Sequence, residues 1–254
     1  PERIAFCRRL WGHETETVSP GGVEYALRLA RPMALGANAS ILDLNAGLGG
    51  GARKIAKELG PRVTGMEADP DLAEAANLLS KTQRMSKTAP IAHYDPLALD
   101  LPERKFEGVL LRELLYRAPD RMRLLRDATQ ALKPRGHLVF TDFVLADGAA
   151  RASTEAQQWL EREPETANPG VMEEYRPLLK ALKMDVRVHS DETPEYIGHV
   201  LSAWSIFVDS LNSTDLTRDF VNCMMREAEF WLARMRALES GKLRLLRVHA
   251  MKKS

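Results

Sequence analysis

The chain has 254 residues, with 36 Lys and Arg against 35 Asp and Glu, so its formal net charge is +1. That balance supplies no global field to gather nucleic acid or an anionic membrane. No window approaches the ~18 consecutive apolar residues of a membrane span, and the first residues lack the apolar core of a signal peptide. Cys7 and Cys223 lie far apart with no metal-ligand spacing. They predict no metal site, and a reduced, cytoplasmic protein whose thiols are buried hydrophobes.

Along the chain, strand-like runs alternate with helical patterns. The runs are SILDL (40–44), RVTGME (62–67), APIAHY (89–94), GVLLR (108–112) and HLVFTDF (137–143). Such alternation predicts βαβ units and a parallel sheet. After Asp147 the texture changes: 149–164 and 170–183 read as helices and MDVRVHS (184–190) as a strand. Two amphipathic helices follow, one facing inward with Ile197, Val200, Leu201, Trp204, Val208 and Leu211. The other faces inward with Val221, Met224, Met225, Ala228, Trp231, Leu232, Met235 and Leu238. The alternating KLRLLRVHAMKK (242–253) closes the chain as a strand.

Chemistry concentrates where strands end. The first strand carries Asp43 and runs into Asn45, Ala46, Gly47, Gly49, Gly50 and Gly51 before a helix over 52–59. A glycine-rich turn brings a ligand close to backbone amides at a helix N-terminus. Asn tolerates a positive φ, so Asn45 can make part of the turn that glycine usually makes, and Ala46 is small enough to leave room. Glu67 ends the next strand about 20 residues on, where a carboxylate can accept both hydroxyls of a ribose. Asp95 and Glu113 follow the third and fourth strands. A nucleotide-type ligand on the open edge of the sheet explains this set better than turn chemistry does. A dinucleotide enzyme would place a glycine earlier in the turn and use six parallel strands.

The chain instead resembles the class I S-adenosylmethionine (SAM)-dependent methyltransferases, in VTGMEADPDLAEAA (63–76) and LLRDATQALKPRGHLVFTDF (124–143). Within them, residues 10–35, GLGGG (47–51), MEEY (172–175) and the closing strand are similar to the phosphoethanolamine N-methyltransferase branch. The resemblance implies an α/β, Rossmann-like fold in one domain over 1–254. Its seven-stranded, mostly parallel sheet would hold 242–253 as an antiparallel strand between 137–143 and 184–190. Residues 1–35 would fold over the cofactor and 195–240 would form a helical cap. By the same resemblance, Asp43, Asn45 and the turn through Gly47 and Gly49 would cradle the methionine half of SAM. Glu67 would take the ribose and Asp95 the adenine amino group. Ser19 would come from the covering segment, and Glu113 would stand near the methionine amine.

The branch's Tyr–His dyad falls here at Thr17 and Arg117, and neither is a general base at neutral pH. Its phosphate grip falls at Phe143, Glu161 and Glu165, and carboxylates repel phosphate. Candidate acceptor-pocket residues are Arg112, Tyr116, Arg117, Tyr175 and Tyr196, with His189 and His199 nearby. The two histidines, like His93, read as structural. Tyr175 reads first as a hydrogen-bonded residue at a helix start, and the arginines of 112–126 as a solvated helix face. The expected function is methyl transfer to a small-molecule acceptor other than phosphoethanolamine. A more apolar or cationic acceptor would suit Trp204, Phe207, Phe230 and Trp231. The alternative from another class is a catalytically silent SAM-binding protein with a regulatory or interaction role.

Overall fold

The computed structural model describes residues 2–12, 16–212 and 216–254; residues 13–15 of the resembling 10–35 segment and residues 213–215 of the expected cap lie outside them. Seven strands form one sheet: β1 (Ser40–Leu44), β2 (Arg62–Glu67), β3 (Ile91–His93), β4 (Phe106–Arg112), β5 (Leu132–Leu145), β6 (Met184–Asp191) and β7 (Leu243–Lys252). Their order is β3-β2-β1-β4-β5-β7-β6. The first five are parallel, and β7 lies antiparallel between β5 and β6, paired from His137↔Met251 to Leu145↔Leu243 on one side. The expected sheet is therefore present. Strand order reverses between β1 and β4, and an open α/β sheet offers its ligand crevice at such a point.

The period-2 alternation of the strands builds two cores. On one face Ile41, Val63, Leu110 and Val139 bury against α2 (Gly22–Ala30), α3 (Gly50–Leu59) and α4 (Pro70–Thr82). On the other, Leu42, Leu44, Leu111, Phe140 and Val248 meet α5 (Arg121–Ala131) and α7 (Tyr175–Ala181). Asp69 caps α4, accepting from the amides of Asp71 (2.9 Å) and Leu72 (3.1 Å). A third apolar cluster stands above the sheet. There α1 (Glu2–Cys7), α6 (Thr154–Leu160), α8 (Thr193–Asp209) and α9 (Arg218–Glu239) enclose Phe143, Leu243 and Leu245.

Several elements differ from the reading of the sequence. Only 154–160 of the expected helix 149–164 is α-helical, after a short turn over 149–152, and Ser153 caps it through the Ala156 amide. The expected helix 170–183 reduces to the turn 172–174 followed by α7. On α8, Tyr196 and Phe207 are buried with Val200, while Leu201 and Val208 stand 55% exposed. On α9, Met225 and Leu232 face outward and Cys223, Glu227 and Arg234 are buried beside Trp231, Met235 and Leu238. The buried face was misjudged because it includes two charged residues that apolar spacing does not count.

His137 Nδ1 and His249 Nε2 lie 2.9 Å apart across β5 and β7. Burial, reinforced by His137, Arg247 and Arg187, lowers the His249 pKa to about 4. Unfolded, the same ring titrates near ~6.5, so below that value the unfolded chain binds the extra proton and the native one resists it. This contribution to stability is complete above about pH 6.5 and is lost as the pH falls toward 4. Discounted for solvent screening from the roughly 3 kcal/mol that the full shift carries, the expected loss is about 1–2 kcal/mol, and it flattens in His249→Gln when urea unfolding is followed across that window.

Candidate functional site

A cavity of about 730 Å³ opens at the C-terminal ends of β1, β2 and β4. Its floor is the turn after β1, its side the segment 16–20, and its roof residues of α1 and α9. Asn45, Gly47 and Gly49 all take positive φ, at 70°, 57° and 77°. Asn45 does more than tolerate that conformation: its Nδ2 donates to the Arg112 carbonyl at 2.7 Å and ties the turn to β4. The amides of Asn45 and Ala46 both donate to the Met66 carbonyl, at 3.0 and 3.1 Å. Ala46 is accommodated by Gly65 on β2, where an added Cβ would come 3.0 Å from the Ala46 methyl and 2.3 Å from Ile91.

Glu67 lines the cavity and is 4% exposed. Its Oε2 accepts from the Gly47 amide at 2.7 Å and its Oε1 from the Asp69 amide at 3.0 Å. Each oxygen keeps a second lone pair for a ligand, so the carboxylate fixes the turn and still faces the cavity. Ser19 and Thr17 line the side, their hydroxyl oxygens 3.4 Å apart. Glu113 lines the far end at φ 51° and receives the Tyr196 hydroxyl at 3.4 Å. Burial raises its pKa, against the pull of Arg234, Arg117 and Arg112.

Three expected cofactor residues do not line the cavity. Asp43 is fully buried beneath the lining, 3.6 Å from Arg112 Nη2, and burial raises its pKa. Gly49 also lies under the lining, where an added Cβ would come 2.8 Å from Arg53. Asp95 is exposed and off the cavity, its carboxylate turned back to the Leu97 amide at 2.9 Å. A short polar side chain after a strand can close its own turn, and here that local bond prevails.

Of the acceptor candidates, Arg112 and Arg117 line the cavity, so they do not belong to a solvated helix face. Tyr116 and Tyr196 are buried behind its wall. Tyr175 does not reach it: it is 1% exposed against Phe140, and its hydroxyl donates to Asp142 Oδ2 at 2.9 Å. Burial moves the Asp142 carboxyl up to about 7. His189 bonds the Met172 carbonyl and His199 packs by Tyr25 and Glu195; neither lines the cavity.

The cavity wall is instead built around residues that the sequence reading passed over. Arg234 on α9 is buried, ion-paired to Glu163, and enclosed by the rings of Phe143, Phe230 and Trp231 at 4.6, 4.5 and 4.8 Å. Glu163 also accepts from the Tyr116 hydroxyl at 3.0 Å and Trp159 Nε1 at 2.7 Å. Burial opposes its charge, yet Arg234, Arg117 and the Tyr116 hydroxyl hold its pKa below the usual carboxylate value. Glu161 and Glu165, expected at this place, are exposed and off the cavity. On the opposite side Arg53 is 3% exposed. It donates to Glu16 (2.6 Å), the Leu48 carbonyl (2.9 Å) and Ser80 (3.2 Å), clamping the covering segment, the turn and α4 together. An arginine interrupting the apolar face of a helix was the available signal at 234; at 53 there was none, since its partners come from three distant segments.

Residues 20–175 match a family described as a methyltransferase domain. Over 148 residues the chain is 28% identical to 27-O-demethylrifamycin SV methyltransferase of Amycolatopsis mediterranei, covering 58% of this chain and 54% of that protein. Over 175 residues it is 30% identical to sarcosine/dimethylglycine N-methyltransferase of Halorhodospira halochloris, covering 65% and 60%. The chain thus spans little more than half the length of these curated relatives. In fold it is similar to Haemonchus contortus phosphoethanolamine N-methyltransferase 2 solved with SAM, at TM-score 0.84, 18% identity and coverage of 99% of this chain and 57% of that one. It is likewise similar to a putative sarcosine dimethylglycine methyltransferase from Galdieria sulphuraria, at TM-score 0.80, 19% identity and coverage of 100% and 99%. With the domain match extending over more than half its length, the chain belongs to the methyltransferase-domain family, in the class I fold.

Proposed function

We propose that this protein is a SAM-dependent methyltransferase acting on a small-molecule acceptor other than phosphoethanolamine. The reading rests on one observation: a single cavity joins the positive-φ turn and Glu67 to a charged compartment under α9. Lone pairs left on Glu67 suit a ribose diol, and Glu113 offers a carboxylate to an ammonium group. Residues 1–35 and 195–240 then serve one domain over 1–254 as cover and cap. SAM supplies an electrophilic methyl group on a sulfonium. This chain's part is to orient the two reactants in line and to keep water out, which carries much of the barrier for such a displacement.

No base stands at the two dyad places. Thr17 Oγ1 engages Ser19, and the Arg117 guanidinium donates to the Tyr116 hydroxyl at 2.7 Å. With no base at the two positions that the resemblance assigns to the dyad, an acceptor that arrives deprotonated or yields its proton to water suits the site better than phosphoethanolamine. The acidic repulsion expected from Glu161 and Glu165 does not enter, since both lie outside the cavity. Nor do the aromatic rings favour a cationic acceptor. Arg234 occupies Phe230 and Trp231, while Trp204 and Phe207 pack on Phe6. Buried free thiols at Cys7 and Cys223 suit a reducing, cytoplasmic setting.

Calorimetry with SAM and with its demethylated product, S-adenosylhomocysteine (SAH), is the first test, and binding of both is expected. Preferential binding of NAD would overturn the reading. SAM binding without turnover over a broad acceptor panel would leave the silent alternative, and robust methylation of phosphoethanolamine would refute the acceptor assignment.

A further inference from the structure

Five arginines line the cavity, at positions 3, 112, 117, 162 and 234. Four have a carboxylate in reach: Arg3 pairs with Glu227, Arg162 with Glu229 at 2.7 Å, Arg234 with Glu163, and Arg112 stands 3.6 Å from Asp43. Arg117 alone of the five has no carboxylate within 4.0 Å among the described residues. Its one side-chain hydrogen bond goes to a neutral oxygen, the Tyr116 hydroxyl, and its Nε is buried without a partner. Tyr116 is itself fixed by donating to Glu163 and stacks under the guanidinium, whose carbon lies 4.9 Å from the ring centre. Glu163 and Glu113 favour its charge from a distance, yet no carboxylate among the described residues meets its donors, so a guanidinium held by a phenol at the cavity wall stands open to an anionic group of a ligand.

Building on the methyltransferase reading, we infer that Arg117 anchors the acceptor and that the acceptor carries a single carboxylate. The charge count favours a monoanion. Among the described residues Arg117 is the lining arginine whose charge enters no direct ion pair, and the Glu163 carboxylate on the same wall is already paired with Arg234. A phosphate dianion would bring a second negative charge with no further unpaired cation among the described lining residues to meet it, beside Glu113 and Glu163. A planar carboxylate also suits a guanidinium whose donors are unused. The arginine thus stands where the resembling branch has a base, and its chemistry is that of a grip.

The test uses the purified chain saturated with SAH, titrated by calorimetry with phenylacetate, glycine, phenylacetamide and phenyl phosphate. At least one carboxylate is expected to bind in the millimolar range, with phenylacetamide and phenyl phosphate roughly tenfold weaker or worse. Arg117→Met is expected to abolish the carboxylate preference while SAH affinity, read in the same protein, reports that the cofactor half is intact. Arg117→Lys restores part of the preference. Equal binding of amide and carboxylate, a preference for phenyl phosphate, no binding of either carboxylate at about 10 mM, or a preference that survives Arg117→Met would each overturn the inference. Failure of wild-type protein to bind SAH would instead overturn the methyltransferase reading.

Discussion

Replacing Glu67 by Ala is expected to lower SAH affinity by about 1.5–3 kcal/mol, roughly ten- to 150-fold in Kd, the range for hydrogen bonds to a charged group. Two losses combine. The diol forfeits a charged acceptor, and the Gly47 and Asp69 amides lose the carboxylate that holds them. The turn therefore loosens where the ligand should find it ready. Glu67→Gln should fare little better, because one end of its amide would present a donor to a backbone N–H that is itself a donor. Calorimetry gives the affinity and urea unfolding the stability of the same variants. A full loss of stability with unchanged affinity would reduce Glu67 to a support of the turn.

The second large effect concerns the wall. Arg234→Met removes the counter-ion of Glu163, whose side chain is 1% exposed. Breaking a buried pair from one side is expected to cost about 3–5 kcal/mol, because the remaining charge is left in a poorly polarisable setting. Joining it to Glu163→Met should recover much of that loss, since no stranded charge remains. The pH response separates this from a packing defect. In the native protein the Glu163 carboxyl is held low, so its contribution is present above the unfolded value near ~4.3 and is lost as the pH falls through its lower folded value. Without Arg234, burial raises the same group, and the variant's deficit should shrink on acidification. A deficit independent of pH would point to lost packing of three aromatic rings alone.

What the sequence disclosed follows the range of the forces involved. Strands at 40–44, 62–67 and 184–190 were legible because alternation is local, and the place of Glu67 because it ends the second strand about 20 residues past the glycine turn. Asn45 was legible for the same reason, since a positive φ is a property of one residue. Tyr175 stands at a helix start with its hydroxyl bonded, as its first reading had it, but its partner Asp142 was not legible, and neither was the turn amide that takes the Asp95 carboxylate. Periodicity misread α9 because it treats every buried position as apolar. Glu227 and Arg234 lie on its inner face through ion pairs with Arg3 and Glu163, some 224 and 71 residues away in sequence. Arg53 was invisible for a similar reason: it acts by holding three separate segments at once.

The place of β7 in the sheet bears on how the molecule is made. During synthesis β5 and β6 leave the ribosome long before residues 243–252, yet each pairs with β7 and not with the other. Until that strand emerges, the inner edges of β5 and β6 have no partner, and Phe143, Tyr196 and Trp231 lack the Leu243 and Leu245 side chains that complete their cluster. Released chains truncated before residue 243 should therefore be readily cut by protease, while chains that include 243–252 are resistant. The parallel part of the sheet needs none of β7, whereas the helix roofing the cavity packs on Leu243 and Leu245, so the site depends on a strand that brings no residue to its lining.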